Sequence, residues 1–222
     1  MALRLAIPPS GALAPSRDAS LQVVRRLDWR FLLPEPRLDR VAYLGPGEDS
    51  LLSALRACSQ SLAIVPDDPD ARGDGLRDGS FAVAVVQSPR PRALARAAAL
   101  LRRGGWLYCE LARPAVWNLA RLSRHRGARD AERVRGLPHA RALLEELGFG
   151  EVEAHWHYPD FERCAWLVPV DPPAAVAFFL ARAGARPLPP LAARIGGRIL
   201  AAGVAARALP CVSLIAHRGG TA

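Results

Sequence analysis

Two histidines close to the end of a predicted strand have the side chains best suited to removing a proton. His155 and His157 are two positions apart, so on a strand both face the same side and can share one pocket. A histidine near its ordinary pKa serves as a general base at neutral pH, and Asp160 follows closely enough to orient one ring. We therefore predict His155, His157 and Asp160 as catalytic residues; the alternative is that the histidines are satisfied core or surface residues. A zinc pair is disfavoured because no third ligand lies nearby at a usual spacing.

Arginines are concentrated between residues 121 and 141, where seven of them stand against two acids. A guanidinium binds a phosphate or a carboxylate through two parallel hydrogen bonds. The cluster therefore predicts an anionic substrate, with Arg121, Arg124 and Arg126 as its ligands. The alternative is a solvated basic face, since all 30 basic residues of the chain are arginine and such a composition indicates codon bias.

A short strand, a glycine turn and a helix follow one another near residue 45. Residues 41–44 are an apolar run, Gly45 and Gly47 permit a tight turn, and leucines then recur at helical spacing. A doubly wound sheet builds the floor of a nucleotide-type cofactor site in this way. Glu48 and Asp49 stand where the helix begins, so a pyrophosphate fits poorly and a phosphate-free nucleoside such as S-adenosylmethionine fits better. The alternative is that the two acids only cap the helix.

The rest of the chain repeats the alternation of strands and helices. Apolar and amphipathic runs predict strands at 61–65, 81–86, 106–111, 149–156 and 164–170 and helices at 93–101 and 138–147. A short turn joins the last two strands, which predicts an antiparallel hairpin at the sheet edge. Asp67 and Asp68 follow the second strand, where an acid typically binds the ribose of a cofactor; a solvated acidic turn is the alternative. The fold predicted is α/β, with a doubly wound, mostly parallel sheet.

Three segments are predicted along the chain: a loose N-terminal segment at 1–20, the α/β domain at 21–171, and a basic, apolar helical extension at 172–222. The extension has six arginines and no acid, so its helices suit a membrane surface, the core or a protein partner. No uninterrupted apolar run reaches the roughly 20 residues that a spanning helix needs.

Charge and cysteine content restrict the partners and the compartment. The net charge of +9 favours anionic partners, but no nucleic-acid module is present and nucleic acid is disfavoured.

The four cysteines form no C-x-x-C pair, which indicates neither a zinc site nor a disulfide framework. We expect a cytoplasmic protein, peripheral to the inner face of the membrane if the extension binds lipid. Prolines interrupt the first fifteen residues, so no signal peptide is predicted.

Four motifs in this order resemble the class I S-adenosylmethionine-dependent methyltransferase family. They are Leu44-Gly45-Pro46-Gly47, the run from Phe81 to Pro89, the run from Leu100 to Leu107, and the run from Leu143 to Val152. The resemblance covers residues 41–170. It implies a Rossmann-like fold, methyl transfer and S-adenosylmethionine as cofactor.

The resemblance also implies roles for individual residues. Gly45 and Gly47 would pass close to the methionine part of the cofactor, and Asp67 or Asp68 would hold its ribose. Gln87 and Ser88 would lie beside the methyl-transfer centre, with the arginine cluster near the same end.

Two functions follow from this resemblance. One is methyl transfer to a small or lipid-linked anionic metabolite, in secondary metabolism or cell-envelope glycan synthesis; an RNA substrate would rest on charge alone. The alternative is a non-catalytic, methyltransferase-like subunit that binds a partner enzyme or a membrane assembly through 172–222. The intact Gly45/Gly47 turn favours the enzyme. The alternative is favoured by Tyr43, where the family has an acid, and by Asp49, where it has a third glycine.

Overall fold

The described part of the chain alternates strands and helices. The computed structural model describes residues 23–47, 49–66, 76–112, 134, 136–183 and 209–219. The strands are β1 (Leu38–Leu44), β2 (Ser59–Val65), β3 (Phe81–Gln87), β4 (Leu101–Ala112), β5 (Phe149–Tyr158), β6 (Trp166–Pro169) and β7 (Cys211–Arg218). A 3-10 helix spans Asp28–Leu32, and the α-helices are α1 (Ser50–Cys58), α2 (Pro91–Leu100), α3 (Leu137–Glu146) and α4 (Pro173–Ala183). The predicted N-terminal segment 1–20 lies outside these residues.

The strands form one sheet in the order β2-β1-β3-β4-β7-β5-β6. β2, β1, β3 and β4 pair in parallel, whereas β7 is antiparallel to both of its neighbours, β4 and β5. β6 is antiparallel to β5 and forms the predicted hairpin at one edge of the sheet. Five strands therefore run in the same direction, and the mostly parallel sheet predicted from the sequence is confirmed.

Each face of the sheet is covered by helices, as a doubly wound fold requires. The first face packs against α1 and the segment around the 3-10 helix, through the buried side chains of Leu27, Trp29, Leu51, Leu52 and Leu55. The second face packs against α2, α3 and α4, through those of Leu94, Leu100, Ala140, Leu144 and Val176. Side chains alternate between the faces along β1, with Val41 and Tyr43 on the first and Ala42 and Leu44 on the second.

The end of the chain corrects the prediction of a helical extension over 172–222. The beginning of this segment is helical as predicted, since α4 spans Pro173–Ala183. Residues 184–208 lie outside the described part. Cys211–Arg218, however, is a strand inside the sheet, and residues 212–216 are all buried. A strand covered on both faces shows no alternation of polar and apolar residues, so its sequence resembles that of an apolar helix.

Helix α1 begins where the glycine turn ends, because Asp49 caps it. A side-chain oxygen of Asp49 accepts a hydrogen bond from the Leu52 N–H at 2.8 Å. Such a cap stabilises a helix by about 1 kcal/mol. Asp49 therefore has the capping role that was the alternative to a role in cofactor selection. Glu48 lies outside the described residues.

Candidate functional site

The glycine turn lies beside the end of β3, at the carboxyl ends of the parallel strands. Gly47 has a φ of +54°, in the left-handed region where glycine is favoured, and its N–H donates to the Gly45 carbonyl at 3.1 Å. Gln87 ends β3, and Ser88 follows it with a φ of +55°. This left-handed backbone conformation costs a residue that has a side chain about 1–2 kcal/mol of free energy. Because β1 and β3 are parallel neighbours, all four residues lie at the carboxyl ends of adjacent strands.

The phenol ring of Tyr43 lies directly on this turn. A Cβ atom on Gly45 would be 2.4 Å from the Tyr43 hydroxyl and 3.1 Å from the Cβ of Gln87. The hydroxyl donates a hydrogen bond to Gln87 Oε1 at 2.8 Å, and the whole side chain is buried. Burial, more than the charges of Asp49 and Glu110, raises the pKa of Tyr43, so the hydroxyl stays a neutral donor. The space between Gly45 and Gln87 is therefore filled by the protein itself.

A row of polar residues crosses the sheet beside this turn. Gln87, Glu110, Ser213 and His155 are paired in register on the neighbouring strands β3, β4, β7 and β5. Directly paired residues face the same side of a sheet, so all four lie on the first face, with Tyr43. We call Gln87, Glu110, Ser213 and His155 the polar row. Glu110, Ser213 and His155 are at most 5% exposed, so the row lies inside the molecule.

Glu110, at the carboxyl end of β4, is neutralised by an arginine from the segment before β1. Arg26 donates two hydrogen bonds to its carboxylate, at 2.5 and 2.8 Å, and the Tyr108 hydroxyl donates a third at 2.9 Å. Burial alone would lower the pKa of Arg26, but the hydrogen bonds and charge of Glu110 outweigh it and raise that pKa. The ring of Phe161 lies 5.2 Å from the guanidinium carbon. The carboxylate is thus fully engaged within the protein.

The two predicted histidines lie on the same face, as expected, but deep inside it. His157 Nε2 is 2.8 Å from Ser213 Oγ, and the side chain is 2% exposed. Burial lowers the pKa of His157 to about 3, with the charges of Arg26 and His155 adding to the effect. Burial also lowers the pKa of His155, against a smaller opposing effect of Glu153. A base works best with a pKa near the working pH, so this environment suits a neutral structural histidine better than a base.

The remaining predicted site residues are less closely connected. Asp160 Oδ1 accepts a hydrogen bond from the Arg163 N–H at 2.8 Å, within the turn between β5 and β6. Asp67, Asp68, Arg121, Arg124 and Arg126 lie outside the described residues.

Among the described residues there is no group of three side chains that could hold a metal ion. None of their helices is long and apolar enough to cross a membrane.

Sequence reasoning missed Arg26, Tyr108 and Glu110. Glu110 is the one charged residue in the predicted strand 106–111, and a carboxylate in such an apolar run requires a buried partner. That signal was available. The partner could not be identified, since Arg26 is one of 30 arginines and the contact joins residues that are far apart along the chain.

Comparison with known proteins finds similar solved structures but no family. No protein-family model and no curated protein matches the sequence. Among solved structures, an S-adenosylmethionine-dependent methyltransferase from Thermotoga maritima matches with 11% identity over 89% of each chain, at a TM-score of 0.49. A protein from Haloferax volcanii, in complex with the Trm112 methyltransferase activator, matches with 15% identity over 91% of this chain and 92% of the other, at a TM-score of 0.47.

A third match is to an enzyme solved with a cofactor product. It is the phosphoethanolamine N-methyltransferase 2 of Haemonchus contortus, in complex with S-adenosylhomocysteine and phosphomonomethylethanolamine. The identity is 11% over 93% of this chain and 54% of the other, at a TM-score of 0.45. All three matches have TM-scores below 0.5, so the fold is defined by the strand order and pairing of the sheet itself. At such identities the matches concern the fold alone.

Proposed function

We propose that this chain is a methyltransferase-like protein that does not transfer methyl groups and acts as a non-catalytic subunit bound to a partner protein. One observation carries the proposal: the ring of Tyr43 lies on Gly45 and is hydrogen-bonded to Gln87. In the family that the motifs resemble, the methionine part of S-adenosylmethionine passes close to the two glycines of this turn. We therefore expect the Tyr43 ring to compete with the methionine part of the cofactor for the space beside Gly45.

Moving Tyr43 aside carries a free-energy penalty. The side chain is fully buried among the apolar residues of the first face, and its hydroxyl has a hydrogen-bond partner. Exposing the ring and breaking the bond costs about 3 kcal/mol, which weakens any ligand that needs the space by about 150-fold.

The polar residues nearby support the same proposal. Glu110 is tied to Arg26 and Tyr108, and His157 to Ser213, so these groups bond one another rather than face an open site. A network whose members are mutually satisfied stabilises one arrangement of the core. Surface residues at the β6 edge suit a protein partner, since Trp166 is 61% and Phe178 on α4 is 64% exposed.

Calorimetric titration with S-adenosylmethionine and S-adenosylhomocysteine tests the proposal. We expect no saturable heat from the wild-type chain. Tyr43→Asp removes the ring and restores the acid that the family carries at this position, so binding confined to that variant would identify Tyr43 as the obstacle. Micromolar binding by the wild type that is lost in Gly47→Arg would overturn the proposal.

Methyl transfer is the second candidate, and the backbone at the sheet edge favours it. Gly47 and Ser88 both have left-handed conformations at the carboxyl ends of adjacent strands, where ligands of this fold bind and where strain is often functional. In this case S-adenosylmethionine would supply the methyl group, Asp67 or Asp68 would hold the ribose, and Arg121, Arg124 and Arg126 would bind an anionic acceptor. The same titration separates the two candidates.

A further inference from the structure

We propose that a second site, at the opposite end of the sheet from the polar row, binds a small phosphorylated molecule with a flat ring. A cleft of about 380 Å³ is lined there by Arg30, Phe31, Arg37, Asp39 and Gln60, among others. Leu38, which also lines it, begins β1, and Gln60 is near the start of β2. The cleft is thus at the amino ends of these strands, away from Gly45 and Gln87, and does not depend on the function proposed above.

The 3-10 helix explains why Phe31 faces outward. Trp29 anchors this helix by stacking on Tyr108, with ring centroids 4.0 Å apart, and Leu33 is also buried. Phe31 is left 63% exposed. A flat ligand that covers this ring removes its apolar surface from water, which favours binding.

The charges in the cleft favour an anion. The Arg30 guanidinium lies over the Phe31 ring, 4.8 Å from its centroid, and the Arg30 Nε atom is buried with no hydrogen-bond partner among the described residues. Arg37 contributes the second guanidinium. The carboxylate of Asp39 lines the same cleft, and that of Glu35, next to it, accepts a hydrogen bond from the Arg37 backbone N–H at 3.3 Å. Asp28 also interacts with Arg30 and offsets part of its charge. Two arginines on one cleft present paired donors that match phosphate oxygens.

The size and composition of the cleft define the ligand class. Its volume lies within the range of small-molecule pockets, roughly 300–1,000 Å³. A phosphate between Arg30 and Arg37 would leave a ring of the same molecule against Phe31. The Gln60 amide would be available to a hydroxyl of the ligand.

Calorimetric titration of the full chain with phenyl phosphate and with inorganic phosphate tests the site. We expect saturable binding of phenyl phosphate, weakened by about tenfold or more in Arg37→Gln, which corresponds to about 1.4 kcal/mol. In Phe31→Ala the affinity for phenyl phosphate should fall to that for inorganic phosphate. Arg40→Gln is the matched control, because Arg40 is exposed, lies outside the cleft lining and loses the same charge.

Two results would overturn the proposal. One is the absence of saturable phenyl phosphate binding by the folded wild-type chain. The other is an equal loss of affinity in Arg37→Gln and Arg40→Gln, which would mean that binding reflects the net charge alone. Circular dichroism of each variant confirms that the comparison is made between folded proteins.

Discussion

Arg26 and Glu110 form a bidentate ion pair inside the molecule, with side chains only 2% exposed. Arg26 precedes β1, whereas Glu110 is near the end of β4, so the pair fastens the N-terminal segment onto the centre of the sheet. Trp29 adds a second attachment three residues later by stacking on Tyr108. Together they hold the segment against the first face of the sheet, from Glu110 near the carboxyl end of β4 to Tyr108 further back along the same strand.

Breaking this pair from one side should destabilise the protein strongly. Arg26→Ala leaves the Glu110 carboxylate buried without its counter-charge, and we expect the free energy of unfolding to fall by about 3–5 kcal/mol. Urea denaturation measures the change. Replacing both partners by apolar residues of similar size, as in Arg26→Met with Glu110→Leu, should be much less harmful, because no charge remains unpaired.

The exposed neighbour Arg25 supplies the control for this prediction. Arg25→Ala removes the same charge outside the ion pair and should change the free energy of unfolding by no more than about 0.5 kcal/mol. A loss in Arg26→Ala no greater than in Arg25→Ala would show that the pair contributes little.

Most of the sheet could be predicted because its elements carry local signals. The run Phe81 to Val86 is continuous and rich in β-branched residues, as expected for a strand covered on both faces, and it forms β3. The helix predicted at 138–147 differs from α3 by one residue at each end. β7 could not be placed, because its partners β4 and β5 lie far back along the chain and no local pattern indicates which strands it separates.

The candidate site was predicted in part for the same reason. Gly45, Gly47, Gln87 and Ser88 follow short motifs, and the parallel pairing of β1 and β3 brings them together. The sequence shows only that Tyr43 stands where the family has an acid. That it lies on Gly45 depends on tertiary packing, which no sequence motif records.

The contact between Tyr43 and Gly45 can be measured by a double-mutant cycle. Gly45→Ala places a Cβ atom 2.4 Å from the Tyr43 hydroxyl and 2.6 Å from Cζ, so the ring must shift. Overpacking of this kind typically costs about 1–3 kcal/mol. In the Tyr43→Ala background the ring is absent, and we expect the added cost of Gly45→Ala to fall below about 0.5 kcal/mol. Chemical denaturation of the four proteins gives the coupling energy.

Tyr43→Phe isolates the hydrogen bond in the same contact. It keeps the ring but removes the donor to Gln87 Oε1, and should cost about 1 kcal/mol. If Gly45→Ala lowered the free energy of unfolding equally with and without the Tyr43 ring, the two residues would not be in contact. The proposal that Tyr43 fills the space beside Gly45 would then be wrong.

The lowered pKa of His157 predicts how the free energy of unfolding changes as the pH falls. Its pKa is about 3 in the folded protein, against an ordinary value of 6.5, so only the unfolded chain takes up this proton between those limits. The stability that neutral His157 provides is therefore complete above pH 6.5 and is lost as the pH falls from 6.5 toward 3. The slope from this residue reaches about 1.4 kcal/mol per pH unit. His155, whose pKa burial also lowers, acts with the same sign.

His157→Gln tests this dependence, because glutamine does not titrate and can still hydrogen-bond to Ser213. The free energy of unfolding, measured by urea denaturation between pH 7 and pH 4.5, should fall more steeply in the wild type than in the variant. His139→Gln, which makes the same replacement at an exposed position on α3 away from Ser213, is the matched control for the substitution itself. Parallel curves for the wild type and His157→Gln would mean that His157 can take up a proton in the folded protein, and the predicted catalytic role as a base would then regain its physical basis.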